Sequence, residues 1–246
     1  MLTRQTPGTY IFEIDNGEVM LVDKPEGWTS FDVVNKIRYR VPFKKVGHAG
    51  TLDPLATGLL IVCAGKMTRQ IHTFQGLEKV YSGTIILGAE TPSFDRETEV
   101  SREFPVAHIA EADIIAAARA MEGTLMQQPP DFSALQQGGQ RAYKRARKGE
   151  AVALQPREVH VEYFSITDVK MPEVHFEVKC SKGTYIRALA RDLGRNLQSG
   201  GYLGSLRRTA IGEHTVDEAL SIEALAPRLE AWSEQTRIMH EQSEGD

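Results

Sequence analysis

The stretch GLLIVCAG, residues 58–65, constrains this chain more than any other: six residues without a charge or amide between two glycines. It is shorter than an ordinary helix and offers water no polar alternate positions, so it fits a strand covered on both faces.

The flanking sequence supplies the cover. GEVMLVDKPEG reads as a buried strand, VMLV, ending in a turn, and Thr29 or Ser30 then caps a helix through FDVVNKIRYR. In that helix Phe31, Val34 and Ile37 recur at helical spacing, and Asp32 lies three residues after Thr29, near capping-box geometry. MTRQIHTFQG is read as helical and KVYSGTIILGA as an alternating strand. HIAEADIIAAARAMEG is the clearest amphipathic helix, closed by Gly123. VHVEYFSITDVK and VHFEVKC alternate as strands, and TYIRALARDLGRNL is a helix with Ile186, Leu189, Leu193 and Leu197 on one face. Strands and helices mix without strict βαβ alternation, which favours an α+β fold over a doubly wound sheet.

A length of 246 residues suits one large domain, or one domain with an insertion. Such a chain buries about 70–75% of its unfolded surface. TLMQQPPDFSALQQGGQRAYKRARKGEAV is polar, broken by proline and glycine and basic at its centre, so the insertion is placed at about residues 127–153. Beyond Gly212 the chain is expected to be an acidic, helical tail over residues 213–246. No apolar run approaches the ~20 residues of a membrane helix, and the first residues lack a secretory signal, so the expected compartment is the cytoplasm. Cys63 and Cys180 sit among apolar strand residues, away from any CxxC or Cys/His spacing. They are read as small buried hydrophobes, and neither a metal nor a cofactor is expected.

The net charge of −4 is unevenly spread. From Glu213 onward nine acids face two bases, which leaves +3 for residues 1–212. QRAYKRARKGE carries five bases against one acid, and the segment from Lys179 to Arg208 seven against one. Local basic surface of this kind is what phosphate binding needs, although two solvated faces would give the same count.

Chemistry concentrates in GHAGTLDPLATG, residues 47–58. A phosphate-binding GxxxxGK[ST] loop is excluded in the neighbouring GLLIVCAGKMT, because Leu60 stands where the first glycine belongs and Met67 where the hydroxyl belongs. Asp53 admits two readings. One is an Asp-Pro turn; the other is a presented nucleophile, held extended by Pro54 among residues small enough to admit a bulky substrate. Arg187 adds weight to the second. It falls in the first turn of its helix, where the macrodipole disfavours a cation by ~0.3–1 kcal/mol, so a compensating acceptor such as Asp53 is expected. The bland alternative is a solvated stripe of Arg187, Arg191 and Arg195, spaced by four.

These segments together resemble the TruB family of tRNA pseudouridine synthases. GHAGTLDPLATG is similar to the family signature, LVDKPEGWTSFDVV to its lysine-proline segment, and KVYSGTIILGAETPSFD to its tyrosine strand. PPDFSALQQGGQRAYKRARKG resembles the insertion, CSKGTYIRALARDLG the arginine motif and YLGSLRRTAIG the closing segment, so the likeness runs in order over residues 19 to about 212. It implies a mixed, mainly antiparallel sheet with flanking helices, the pseudouridine synthase catalytic fold, with an RNA-binding insertion. It implies isomerisation of the T-loop uridine at tRNA position 55, without metal or cofactor. Asp53 corresponds to the catalytic aspartate, Tyr81 to the tyrosine that stacks on the target base and Arg187 to the arginine paired with the aspartate. Tyr185 and Leu206 would line the same pocket, His48 would contact the flipped loop and Lys24 would support the site. The tRNA grip would fall to Arg141, Lys144, Arg145 and Arg147 of the insertion.

Two departures stand out: Ala49 replaces a common threonine and Gln136 a usual lysine. Bacterial relatives usually carry a C-terminal PUA domain, and the 34 residues after Gly212 are too few for one, so a single catalytic domain over residues 1–246 is expected. The partner implied is the tRNA T-stem-loop, with no membrane, no guide RNA and no obligatory protein, and the chain is expected to be a monomer. A competing reading is an RNA-binding or tRNA-folding module with incidental catalysis. It would need the basic insertion and His48 but none of Asp53, Tyr81 and Arg187.

Overall fold

The computed structural model describes residues 1–10, 16–41, 43–132, 136–137, 140–141 and 154–243, with the side chains of 136–137, 140–141 and 235–243 excepted. The chain forms two compact units, residues 1–79 with 207–246, and residues 80–206.

In the first unit, strands β1 (Glu18–Lys24), β2 (Val46–His48) and β3 (Ala56–Ala64) surround the apolar run. β1 lies antiparallel to β3, pairing Val19 with Cys63 and Asp23 with Leu59, and β2 pairs antiparallel along β3, His48 opposite Val62. The even residues Leu60, Val62 and Ala64 pack with Met20, Val22, Val33, Ile37, Leu229 and Trp232. The odd residues Leu59, Ile61 and Cys63 pack with Val19, Leu21, Ala49 and Ile211. A strand buried on both faces cannot alternate, and that is the physical content of GLLIVCAG.

Helix α1 (Ser30–Arg38) covers the first of these clusters. Thr29 is its N-cap, its hydroxyl accepting from the Asp32 N–H while the Asp32 carboxylate accepts from the Thr29 N–H, the reciprocal box expected from the sequence. A short 3₁₀ segment (Gly65–Gln70) and α2 (Ile71–Gly76) bring Met67, Ile71 and Phe74 over the second cluster.

The second unit holds β4 (Lys79–Leu87), β7 (Gly123–Gln127), β10 (Arg157–Lys170) and β11 (Glu173–Cys180), with short strands β5 (Ala89–Glu90), β6 (Arg102–Glu103), β8 (Gln136–Gln137) and β9 (Gln140–Arg141). β12 (Gly201–Ile211) neighbours β4, and the order continues β4-β11-β10-β7. β10 pairs antiparallel with both β11 and β7. Phe164 and Phe176, diagonal neighbours on the two strands of the β10–β11 hairpin, meet edge to face at 5.6 Å. Helix α3 (Glu111–Arg119) packs on β10 and α4 (Ile186–Asn196) buries Ile186, Leu189 and Leu193. α3 stops earlier than HIAEADIIAAARAMEG suggests: Gly123, at φ +87°, instead opens β7.

The C-terminal segment returns to the first unit. Residues 207–211 complete β12, β13 (His214–Thr215) pairs back on it, and β14 (Leu220–Ser221) lies parallel to β1. Helix α5 (Ile222–Ser243) follows and buries Leu225, Leu229 and Trp232 in the first cluster. Apart from the parallel β1–β14 pair, the strand pairs with an assigned register are antiparallel, giving the α+β fold read from the sequence. Among the described residues no helix is long and apolar enough to cross a membrane.

Gly58 marks a close backbone approach in the first unit. Its φ of +103° lies in a region that L side chains rarely adopt, and a Cβ there would run into the backbone of Arg208. Gly58→Ala is therefore expected to lower the unfolding free energy by about 2 kcal/mol or more. Urea denaturation measures it, and an unchanged midpoint would mean that the two strands part at no cost.

Candidate active site

Asp53 begins a turn in which its own C=O accepts from the Ala56 N–H at 3.0 Å, with Pro54 at the second position. The Asp-Pro turn is thus present, and what surrounds it exceeds the needs of a turn. On one side, Ser30 is buried and grips Leu52 twice: its hydroxyl accepts from the Leu52 N–H at 2.9 Å and donates to the Leu52 C=O at 3.2 Å. On the other side, the Pro54 C=O accepts from the Gly27 N–H at 2.8 Å and from Lys24 Nζ at 3.4 Å. The residues before and after Asp53 are held, and its side chain remains partly exposed.

Lys24 is wholly enclosed and directs its ammonium at the carbonyls of Pro25 (2.8 Å) and Trp28 (2.7 Å) as well as Pro54. It acts as a support beneath the loop. Burial lowers its pKa to about 8, the Asp53 carboxylate pulling upward and the Arg208 guanidinium adding to the depression.

Arg208 is the largest fully buried side chain of the chain's described residues, and it secures the front of the same loop. Its Nε donates to the Leu59 C=O at 2.7 Å, and its terminal nitrogens reach the Gly50 and Thr51 carbonyls at 3.2 and 3.5 Å. Gly50, at φ +101°, turns its carbonyl into that reach. Beside it Arg207 forms a two-point pair with Asp23, at 2.7 and 3.1 Å. The glycines of the signature were expected to clear space for a substrate; Gly58 instead admits the Arg208 backbone.

His48 sits at the end of β2, partly buried. Burial lowers its pKa, the Gly50 backbone opposes that and the Arg208 charge reinforces it, so the imidazole is neutral at pH 7.

In the second unit Arg187 is the second residue of α4 and only 5% exposed. Its guanidinium donates to the Ser93 C=O at 3.1 Å and the Phe132 C=O at 2.9 Å, and pairs with the buried Asp95 carboxylate at 3.5 Å. The compensating acceptors that the helix dipole demands are therefore present, and Asp95 had not been singled out in the sequence. Its loop is self-bonded: Thr91 Oγ1 donates to the Asp95 C=O at 2.7 Å, Ser93 and Thr98 hydroxyls meet at 2.8 Å, and Phe94 takes a positive φ of 60°.

The solvated-stripe alternative is overturned. Arg191 is buried too, chelated by Asp192 at 2.7 and 3.0 Å and lying over the Phe94 ring, and Arg195 alone of the three is exposed.

Tyr81, 9% exposed, and Leu206 stand on the neighbouring strands β4 and β12. Tyr185 is the N-cap residue of α4, its ring covered by the Arg157 guanidinium at 4.5 Å. Of the insertion residues, Arg141 lies in β9 with its side chain outside the described residues, and Lys144, Arg145 and Arg147 lie outside them altogether.

Known proteins resemble this chain in sequence and in fold. The family model described as TruB family pseudouridylate synthase (N terminal domain) matches residues 38–186. The tRNA pseudouridine synthase B of Flavobacterium johnsoniae is 46% identical over 224 residues, covering 88% of this chain and 96% of its own. That of Chlorobium chlorochromatii is 51% identical over 211 residues, covering 84% and 83%. Among solved structures, a chain of a Cbf5-Nop10-Gar1 complex matches with a TM-score of 0.69 and 28% identity, over 91% of this chain and 57% of that one. This chain thus spans just over half the length of that solved protein. Fold and sequence define an enzyme of the pseudouridine synthase class. Within that class, the chain belongs to the TruB family of pseudouridylate synthases.

Lys24 yields a test in pH. The unfolded lysine holds its proton up to about pH 10.5 and the folded one only to about 8, so between these values the unfolded chain binds more protons. This group therefore makes unfolding free energy rise with pH across that window. Lys24→Met should remove that rise and, by taking the ammonium away from the Pro25 and Trp28 carbonyls, lower stability at pH 7 by roughly 1–3 kcal/mol. Denaturant unfolding of both proteins from pH 7 to 10 decides it, and parallel profiles would sink the assignment.

Proposed function

We propose that the protein converts uridine to pseudouridine at position 55 in the T-loop of tRNA. The observation that carries this reading is the double fixing of Asp53: Leu52 by Ser30 and Pro54 by Lys24 and Gly27, within a segment similar to the family signature. The relatives at 46% and 51% identity carry the name tRNA pseudouridine synthase B, which supports tRNA as the substrate.

In this reaction the C1′–N1 bond breaks, C1′ bonds to C5, the hydrogen on C5 is lost and N1 gains one, so product and substrate are isomers and no co-reactant is consumed. The Asp53 carboxylate meets the electron-poor nucleoside, by attack on C1′, by attack on C6 or by assisting an elimination. Arg187 orients it; a guanidinium has five N–H donors, enough to serve Asp53 as well as Asp95. Tyr81 stacks on the base, an interaction worth about 1–3 kcal/mol, and Tyr185 and Leu206 close the pocket against water.

The uridine must leave its stack to reach Asp53, at a cost of a few kcal/mol. A neutral His48 serves as the positioning wedge for the flipped loop. Phosphate contacts fall to Arg141, Lys144, Arg145 and Arg147 of the insertion, joined by the exposed Lys44, Lys45 and Lys66. Gly65 N–H donates to the Lys45 C=O at 2.9 Å, which sets these three lysines around the outer ends of β2 and β3, on the unit that bears His48. The enzyme works as a monomer in the cytoplasm, without guide RNA. Identity of 46% to a tRNA enzyme against 28% to a chain of the Cbf5 complex favours the unguided mode.

Asp53→Asn is expected to reduce turnover roughly 1000-fold or more while tRNA affinity persists, since affinity comes mostly from backbone phosphates. Tritium released from C5 of labelled tRNA reports the turnover, and filter binding the affinity. Turnover near the wild-type rate would remove Asp53 from the mechanism.

A further inference from the structure

We infer that Gln127 is a positioning residue for Tyr185 and Arg187, an inference that rests on reading those two as site residues. Gln127 was placed by composition at the edge of the insertion, but it is the last residue of β7 and only 2% exposed. Its Oε1 accepts from the Tyr185 N–H at 2.8 Å, and its Nε2 donates to the Tyr185 C=O at 3.1 Å. Both ends of one side-chain amide are thus spent on the backbone of one residue, as a neighbouring strand would spend its own peptide group.

The residue gripped is the hinge between loop and helix. Tyr185 is the N-cap of α4 and makes no side-chain capping bond; its carbonyl also accepts from Ala188 and Leu189 at 3.1 and 3.2 Å. Arg187 leaves the backbone two residues later. Its guanidinium end is fixed by Ser93, Phe132 and Asp95, and Gln127 fixes the end where its backbone enters the helix.

The neighbouring rung reinforces this. Gln127 pairs across the ladder with Arg157, whose guanidinium donates to the Gly183 C=O and covers the Tyr185 ring. One pair of facing residues therefore holds the approach to α4 through the Gly183 carbonyl, the Tyr185 peptide groups and the Tyr185 ring. A buried amide used twice in this way sets position: losing it takes the acceptor from the Tyr185 N–H, and small displacements of a reacting constellation cost far more rate than binding.

The test is single-turnover isomerisation of tRNA with the full chain in excess, alongside tRNA affinity and thermal melting. Gln127→Met, similar in length but with neither donor nor acceptor for an amide, is expected to slow the reaction roughly 10- to 100-fold with the tRNA dissociation constant unchanged. Gln127→Glu keeps the acceptor for the Tyr185 N–H and should fall between Met and wild type. In an Arg187→Lys background, adding Gln127→Met should cost little further rate, because the group it positions is already altered.

Wild-type rate in Gln127→Met overturns the proposal, as does a loss confined to tRNA affinity, or a loss carried in full onto Arg187→Lys. If the Met variant fails to melt cooperatively, Gln127→Glu in the two backgrounds decides by the same criteria. Asp53→Asn measured beside them separates the two levels. Turnover there refutes the aspartate mechanism, whereas its inactivity combined with a fully active Gln127→Met refutes the clamp alone.

Discussion

A carboxylate in a surface turn is only as well placed as the peptide groups on either side of it, and here those groups are held by side chains from elsewhere in the chain. The Ser30 hydroxyl takes both polar groups of Leu52, and the Lys24 ammonium draws together the carbonyls of Pro25, Trp28 and Pro54. Burying an ammonium is costly unless its donors are satisfied, and three carbonyls satisfy all three. The same bonds that make Lys24 tolerable inside the protein tie the β1 turn, the start of α1 and the Asp53 turn into one body.

What could be read in advance follows from the range of the interactions. The two-faced burial of β3 and the Thr29–Asp32 box depend on residues a few positions apart, and both are visible in the sequence. β12 was not read as a strand. YLGSLRRTAIG carries two arginines and two glycines where a pattern of alternation would be sought, and it becomes a strand because Arg208 finds carbonyls about 150 residues away in sequence. Tertiary partners override local pattern at such places. Asp53 was singled out from its own loop and Lys24 through resemblance to the family, whereas the carbonyl grip of Lys24 could not be seen until the turns were folded.

Arg187 illustrates the middle case. Its place in the first turn of a helix predicts that something must offset the macrodipole, and the requirement is local and legible. Its fulfilment is not, because two backbone carbonyls and Asp95 come from loops 55 to 94 residues away in the chain. Gln127 was hidden for the opposite reason. QQPP has the composition of an exposed turn, and only the long-range partner, Tyr185, shows that one of its glutamines is buried.

The charges of the first unit follow one scheme. Lys24 and Arg208 are both buried, and both spend hydrogen bonds on backbone carbonyls, which satisfy donors without cancelling a full charge. Their positive field therefore persists around the loop: it is felt in the depressed pKa of Lys24, where Arg208 contributes, and in that of His48. Burial keeps the His48 imidazole neutral and that field adds to the effect, while an anion approaching from solvent would be drawn in. In the proposed function the substrate is a polyanion and the reactive group, Asp53, a carboxylate, and the two have to be reconciled. On that proposal, cations seated on neutral acceptors beneath the loop would offset the repulsion between Asp53 and incoming phosphates, without a mobile counterion that substrate binding would have to displace.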